Sequence, residues 1–452
     1  MPYEGEYASY LPLHRIAESD RVRQLLSRAR TIQSTSGPDS PVPIPAPCFA
    51  GPLPEFVVAV DGSSAEVPVR NGYPGARVGY CTVASVLLNL CQVDALDEAR
   101  PVDPKAFRQT EQSATIDAAL PGANVVVRNH TSARESFREA LYETFYDVIV
   151  DEDDRVRLLE TYEALLALKP DGHLPACPYE HEGCDEHFAV GSGTSTCRCD
   201  RRKALYSTDA LRIHERFQDG GSNGEAYGEV MQVWERLLLV HLLRCFERRQ
   251  WLDQIGRVAF FLDGPLAVFG HPAWLSAAIS RELRRLNVLV RQATGNDLLL
   301  LGIEKSGTFV EHFAQLDQTD SGEPRFGSRT YLLPNDAYIK QRIVFSTSPK
   351  RYGADTYFGR KVFYKTRSGA RIVCDIPFLS DDQDTLTSDD VALYPQFPTI
   401  CGLLDKLVSS RYPNALSPIV SAHAQAAIPL HLGSKVLQQL ALALMRRDPN
   451  TA

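Results

Sequence analysis

Asp61 closes a short apolar run, residues 56–60, that is rich in valine and reads as a buried strand. Gly62, Ser63 and Ser64 follow, so the strand is expected to stop in a turn at the carboxylate. The arrangement recurs. A second apolar run, residues 258–262, ends in Asp263 and Gly264, and a third, residues 298–303, ends in Glu304, Lys305, Ser306 and Gly307. Strands that each deliver a charged group at the C-terminal end predict one shared site at the lip of a sheet. The longest helical pattern, residues 224–249, carries Met231, Leu238, Leu239, Leu242 and Leu243 on one face, and Glu235 lies on that same face. An acid inside an apolar stripe is costly unless it meets a cation. Glu229 and Glu247 fall on mixed faces, which leaves Glu235 as the inward acid. His423 follows a further apolar stretch, residues 416–422.

Clustered carboxylates raise one another's pKa unless a metal neutralises them. Hard divalent ions, Mg2+ or Mn2+, take oxygen ligands, and Mn2+ also accepts an imidazole. A pair of such ions activates a water and stabilises the leaving oxygen in phosphodiester hydrolysis. Lys305 would then balance charge on the phosphate or position the nucleophile. Asp336 is a weaker acidic candidate. The plain alternatives are an ordinary turn after each strand, a core histidine, and a Glu235 that is half of a buried ion pair with an arginine.

Two further clusters carry chemistry. Ten cysteines are too few for a disulfide scaffold. Cys48, Cys81, Cys91, Cys245, Cys374 and Cys401 sit in apolar surroundings and are expected in the core. The other four, Cys177, Cys184, Cys197 and Cys199, fall within 23 residues and suit a tetrahedral, structural Zn2+ site, with His173, His181 or His187 able to replace a thiol. The alternative is a set of free thiols in a surface insertion. Between Lys350 and Arg371 stand seven basic residues and one acid, Asp355, with Tyr352, Tyr357, Phe358, Phe363 and Tyr364 interleaved. Lys350, Arg351, Arg360, Lys361, Lys365 and Arg367 are predicted DNA contacts, since bases of this kind bind phosphate and aromatics stack on unpaired bases. The alternative is a hairpin whose aromatics face a core.

These groups need elements to hold them. The chain has 452 residues, 44% hydrophobic and 23% charged, the composition of an ordinary soluble globular protein, and the expected fold class is α/β. A net charge of −8 argues against coating nucleic acid along a whole surface but permits a confined channel. No stretch reaches the roughly 18 apolar residues of a membrane span, and the N-terminus lacks an export signal, so a cytoplasmic location is expected. A helical pattern to about residue 33 precedes a Pro-rich linker, residues 36–47, and reads as an arm. Strands are expected at 76–88, antiparallel to the first, and at 124–128. Helices follow over 132–168, the second capped by the acidic residues 151–154, then over 272–288. A hairpin spans 360–374, turning at Ser368 and Gly369; residues 416–423 read as a strand running into a loop, and 434–445 as a last helix.

The order Val60-Asp61-Gly62-Ser63, inward Glu235, Leu262-Asp263-Gly264-Pro265-Leu266, Glu304-Lys305-Ser306 and Ser421-Ala422-His423 resembles the NurA nuclease family over about residues 55 to 430. Its motifs are short, and the likeness lies in order and spacing. The resemblance implies an RNase H-like mixed sheet flanked by helices, usually dimeric. It also implies Mn2+- or Mg2+-dependent exonuclease and endonuclease activity on DNA, and a hexameric HerA-type ATPase as partner. Asp61, Glu235, Asp263 and His423 become metal ligands by this resemblance, and Lys305 a catalytic or phosphate-contacting residue. The second acidic motif departs from the family in reading Asp-Gly-Pro where Asp-Gly-Ser is frequent, and the cysteine insertion lies outside the family pattern. The expected organisation is a helical arm and linker (1–47), a first core segment (48–131), a helical insertion (132–170), a zinc-binding insertion (171–205) and a second core segment (206–452). A DNA-end-binding adaptor that regulates the ATPase without cleaving is the rival reading. A nucleotide phosphotransferase is a third, disfavoured because no Gly-rich phosphate loop is present.

Overall fold

The computed structural model describes residues 10–29, 41–49, 51–70, 75–95, 110–127, 129–150, 155–170, 175–188, 190–199, 202–319, 322–379, 389–428 and 432–445. The chain divides into two compact units, residues 1–42 and 43–452. In the first, α1 (Leu11–Glu18) and α2 (Asp20–Arg28) meet at Ser19, whose hydroxyl caps α2 by accepting the Val22 N–H. Neither helix buries a residue, and Leu11, Leu13, Ile16, Leu25 and Leu26 are exposed.

The second unit is organised on one nine-stranded sheet. Its strands are β1 (Ile44–Pro45), β2 (Phe56–Arg70), β3 (Ala76–Asn89), β4 (Glu111–Pro121), β7 (Val258–Asp263), β8 (Leu300–Glu304), β9 (Thr330–Leu332), β10 (Gly359–Lys365) and β11 (Arg371–Pro377); β5 (Thr194–Thr196) and β6 (Ala204–Tyr206) form a separate hairpin. Across the sheet the order is β1-β9-β10-β11-β8-β7-β2-β3-β4. β2, β3 and β4 form an antiparallel meander, β7 and β8 run parallel to β2, and β11 and β10 return antiparallel. The parallel strands are the near-continuous apolar runs, because both of their faces are covered.

α3 (Leu90–Asp94) follows β3. One face of the sheet is covered by α4 (Ala133–Asp147), α5 (Leu158–Leu166), α6 (Gly224–Arg248) and α7 (Leu275–Thr294), whose Phe137, Tyr162, Trp234 and Leu283 share a core with Val60, Phe260 and Leu262. α8 (Thr308–Leu316) packs Phe313 on Phe363 of β10. The opposite face carries α9 (Phe397–Leu407) and α10 (Ser417–Ala426), which join Ala59, Phe261 and Leu301 in a second core. α11 (Leu432–Met445) brings Leu437 and Ala441 to Val67 and Val69 of β2.

Several expectations are corrected. β2 does not stop at Asp61; it continues to Arg70, because β3 pairs with it along its whole length and Gly62 remains extended in the ladder. The third strand is residues 111–121 and not 124–128, where Asn124 adopts φ 56° and the chain turns. Residues 417–426 form a helix, with Pro418 in its first turn where no N–H is needed. Residues 336–343 make a helical turn and a π-helical turn. Cys48 and Cys91 are exposed, whereas the other four scattered cysteines are buried. The acidic residues 151–154 lie outside the described residues; at the start of α5, Glu160 accepts the Arg157 N–H.

The approach of β7 to β8 depends on Gly302, where a Cβ would stand 2.7 Å from the Gly264 carbonyl oxygen and 2.9 Å from the Leu266 nitrogen. Both are backbone atoms that cannot rotate away. Gly302→Ala is therefore expected to lower the unfolding free energy by about 1–3 kcal/mol in urea titrations. An unchanged midpoint would show that the two strands are free to separate.

Candidate functional site

β7 ends at Asp263, where Gly264 turns the chain at φ 83°, while its parallel neighbour β2 runs on. Val60 pairs with Leu262, so Asp61 and Asp263 hold matching positions on adjacent strands. By the alternation of a strand they share the face of Ala59 and Phe261. Where β7 stops, a cleft of about 610 Å³ opens, lined by Asp61, Gly62, Glu235, Arg236, Asp263 and Arg216 among others.

Lys305 extends from the end of β8 and places Nζ 3.5 Å from Asp61 Oδ2 and 2.9 Å from Asp263 Oδ2. His423, on α10, brings Nδ1 to 2.8 Å from Asp61 Oδ2. Asp61 is buried and its Oδ1 accepts the Gly62 N–H at 2.8 Å. Asp263 Oδ1 is buried with no hydrogen-bond partner.

Glu235 arrives from the other side of the sheet. Gly62 lies on the Val60 face, and a Cβ there would stand 2.9 Å from Glu235 Oε1 and 2.8 Å from Met231 Cγ. The missing side chain is what lets α6 come this close. Glu235 is 4% exposed, and its Oε2 accepts from Arg236 Nη1. Arg236 also donates through Nε to the Ala267 carbonyl at 3.0 Å and through Nη2 to the Pro265 carbonyl at 3.2 Å. The ion-pair alternative thus describes one of the two Glu235 oxygens.

Burial pushes the Glu235 carboxyl up to about 8 despite the pull of Arg236, and Asp61 and Asp263 add to the rise. Burial, and next the charge of Asp61, push Asp263 up to about 6 although Lys305 draws it down. Burial works to lower the Lys305 pKa, but Asp263 and Asp61 outweigh it and hold it above the ordinary lysine value. An added cation would relieve the mutual repulsion of such a nest. An oxygen-rich set with one imidazole suits a hard divalent ion, and the orphaned Asp263 oxygen supplies an unused ligand atom. Among the described residues, three such ligand atoms lie within 4.8 Å of one another only at Cys177, Cys184 and Cys197. No three ligand groups of the cleft meet that criterion together: Asp61 and Asp263 share the Lys305 ammonium, and Glu235 approaches across the sheet.

The structure therefore brings Asp61, Asp263, Lys305 and His423 together, with Glu235 on the wall of the same cleft. Asp336 is elsewhere, accepting the Tyr352 N–H at 2.6 Å and pairing with Lys340 at 2.9 Å. Sequence reasoning missed three members of the cleft. Arg236 is one residue from Glu235, a spacing that carries no helical-face signal. Glu229 is buried, contrary to the mixed-face reading, and Arg216 reaches it from a 3-10 segment while also pairing with Glu225 at 2.9 Å.

Burial stands against half of the expected DNA contacts, Arg360, Lys361 and Lys365. β10 is a central strand buried along its entire length, so its basic side chains go inward on both faces. Lys361 pairs with Glu304 and with Asp375 Oδ1 at 3.0 Å, Lys365 pairs with Asp317 at 2.7 Å, and Arg360 is buried. Phe358, Phe363 and Tyr364 are core residues. Lys350 and Arg367 remain exposed and Arg351 half-buried, with Lys350 paired to Asp355 at 2.7 Å.

A model of the NurA domain matches residues 56–428. Among solved structures, the NurA nuclease from Sulfolobus solfataricus is similar at 11% identity and a TM-score of 0.37, covering 98% of this chain and 99% of that one. A second structure, titled NurA, is similar at 11% identity and a TM-score of 0.30, covering 98% and 100%. Comparison with curated proteins gives no match.

Two measurements follow from the charges. Removing Lys361 strands two buried acids, so Lys361→Ala is expected to lower stability by about 3–5 kcal/mol; a folded, equally stable variant with weakened DNA binding would restore the nucleic-acid role. Glu235 is raised in the folded state, so its contribution to stability is complete below about 4.5 and is lost as pH rises toward about 8. In chelator, the stability advantage of Glu235→Gln over the parent should grow between pH 5 and 8. A flat difference would mean that Arg236 already keeps the carboxylate ionised.

Proposed function

We propose that this chain, which belongs to the NurA-domain family, is a Mn2+- or Mg2+-dependent nuclease that hydrolyses phosphodiester bonds in DNA. The observation that carries the reading is the pair Asp61 and Asp263. Two acids lie side by side on parallel strands, Asp61 buried and Asp263 half-buried, sharing one ammonium, and an Asp263 oxygen has no partner. A protein that only binds DNA gains nothing from acids that repel both each other and phosphate.

Asp61 and Asp263 would hold the cation, with His423 Nδ1 and Glu235 completing the set from opposite faces of the sheet. The ion, when bound, supplies an activated water and a counter-charge for the leaving oxygen. The chain's own residues do the rest. Lys305 is one-third exposed, and its Nζ is placed to turn from the two acids to a phosphate oxygen as positive charge reaches them. His423 is 58% exposed at the mouth of the site, where its ring meets both Asp61 and solvent. Arg236 anchors the segment after Asp263 and keeps Glu235 from turning away.

The RNase H-like reading is supported by the run β4-β3-β2-β7-β8, three antiparallel strands followed by two parallel to the first. Work on DNA ends with a HerA-type hexameric ATPase, in repair or in defence against invading DNA, is supported by the family alone, as is a homodimer. The exposed apolar residues of α1 and α2 fit an arm that docks a partner. Among the described residues no helix is long and apolar enough to cross a membrane.

Linear DNA incubated with Mn2+ tests the reading. Asp61→Ala and Asp263→Ala should each lose roughly 10³-fold or more in rate, the several kcal/mol that a bound cation supplies, with DNA binding preserved. Equal rates in all three proteins would sink the assignment. A parent chain that binds DNA ends yet leaves them uncut whichever divalent ion is supplied would be the adaptor instead.

A further inference from the structure

The cysteine-rich segment takes no part in the cleft, yet its packing is unusual. Its buried cluster is Cys177, Tyr179, Cys184, Cys197 and Leu205, with half-buried Phe188 packed against it, so only three ordinary apolar side chains support it. So small a core does not hold a segment of this size without a cross-link. The three sulfurs converge from two separate pieces of chain. Cys177 and Cys184 flank the 3-10 turn Glu180–Glu182, which Gly183 closes at φ 87°. Cys197 follows β5 directly, at the base of the turn that leads into β6.

Cys197 Sγ lies 3.3 Å from Cys177 Sγ and 3.6 Å from Cys184 Sγ. A disulfide needs about 2.05 Å and pairs only two sulfurs. Thiolates arranged tetrahedrally about one zinc ion, at about 2.3 Å each, stand roughly 3.8 Å apart. The observed spacing is close to that of sulfurs sharing one ion. The Cys199 N–H points at Cys197 Sγ from 3.5 Å, the kind of outer-shell hydrogen bond that supports a metal-bound thiolate. Thiolate donors select borderline-soft ions over the hard cations suited to the cleft. His187 Nδ1 meets the Asp185 carbonyl at 3.2 Å, and His173 lies outside the described residues; Cys199, whose N–H meets Cys197 Sγ, is the ligand candidate beside the three sulfurs.

We propose that Cys177, Cys184 and Cys197 bind one Zn2+ ion, with Cys199 as the fourth ligand. Each thiol loses its proton to solvent on binding, and no ligand position is left for catalysis. The site fastens a strut. From β6 the chain is tied to α4 by Arg138, which donates to both Asp209 oxygens at 2.8 and 2.7 Å and to the Ala204 carbonyl at 3.0 Å, and by Lys203 paired with Glu135 at 2.6 Å. Two 3-10 turns, Ser207–Leu211 and Ile213–Glu215, then lead to Arg216, which lines the cleft. The ion thus pins the segment that carries Arg216 to Glu229.

The test uses the full chain as an Asp263→Ala variant, so that metal at the acids is separated from metal at the thiols. Elemental analysis after dialysis should give one zinc per chain. Cys177→Ser combined with Cys197→Ser should abolish it, and Cys199→Ser should weaken zinc affinity by about 10- to 100-fold or more. Should the cysteine variants not fold, reconstitution of the otherwise intact chain with Co2+ should give the charge-transfer and visible bands of a tetrahedral thiolate complex. A folded protein without zinc and without those bands overturns the proposal. So does zinc that persists in the double variant, or a disulfide between any two of the three cysteines in the native protein.

Discussion

Two carboxylates that repel each other, one buried and one half-buried, are the constraint on which the rest of this architecture turns. Asp61 and Asp263 are forced together by strand register: once Val60 pairs with Leu262, the next residues on each strand face the same way. Neither acid can retreat, because β2 is held by β3 along its length and β7 is held by β8 on its other side. Burial of such a pair is unfavourable by itself. Lys305 offsets part of that cost, and the remaining demand for positive charge is a property of the fold, present before any ligand arrives.

The surroundings sustain this arrangement at the one place where the sheet is weakest. β7 stops at Asp263, so the segment after it has no strand partner on the β2 side. Arg236 takes the Pro265 and Ala267 carbonyls, and Asp375 on β11 accepts the Leu266 N–H at 2.9 Å. Asp375 is in turn held by Lys361, which also binds Glu304, the residue before Lys305. One network therefore positions both strand ends that feed the site. This gives the buried basic residues of β10 a purpose other than contacting DNA: Lys361 orients the acid that fixes the turn after Asp263.

What the sequence disclosed follows from which signals are local. The apolar runs before Asp61, Asp263 and Lys305 were legible because central parallel strands must be apolar on both faces. Glu235 was legible because a helical period shows which face it shares. The extent of β2 was not, since Asp61, Gly62 and two serines read as a turn and only the ladder to β3 overrides that chemistry. The helix at 417–426 was hidden by Ser-Pro at its start, a pair that marks a turn as readily as a first helical turn. The hairpin at 359–377 was found, but its lysines were assigned to solvent-side chemistry because nothing in a single strand tells whether its polar face is covered. Asp317, Glu304 and Asp375, the acids that bury them, are remote in sequence.

The charge balance of the cleft bears on how it would meet a polyanion. Asp61, Glu225, Glu229, Glu235 and Asp263 line it, and the guanidinium groups that share it, Arg216 and Arg236, are already engaged with Glu225, Glu229 and Glu235. Lys305 is likewise committed to Asp61 and Asp263. A phosphate entering this space without added cations would face acids whose partners cannot leave them without stranding buried charge. Cation binding at Asp61 and Asp263 changes both sides of that problem, since it cancels their repulsion and releases the Lys305 ammonium toward the newcomer. On the proposed reading, metal loading is then a condition for productive DNA entry as well as for the chemical step. The acids thereby keep phosphate out of an unloaded site, which accounts for a cleft so poor in free positive charge.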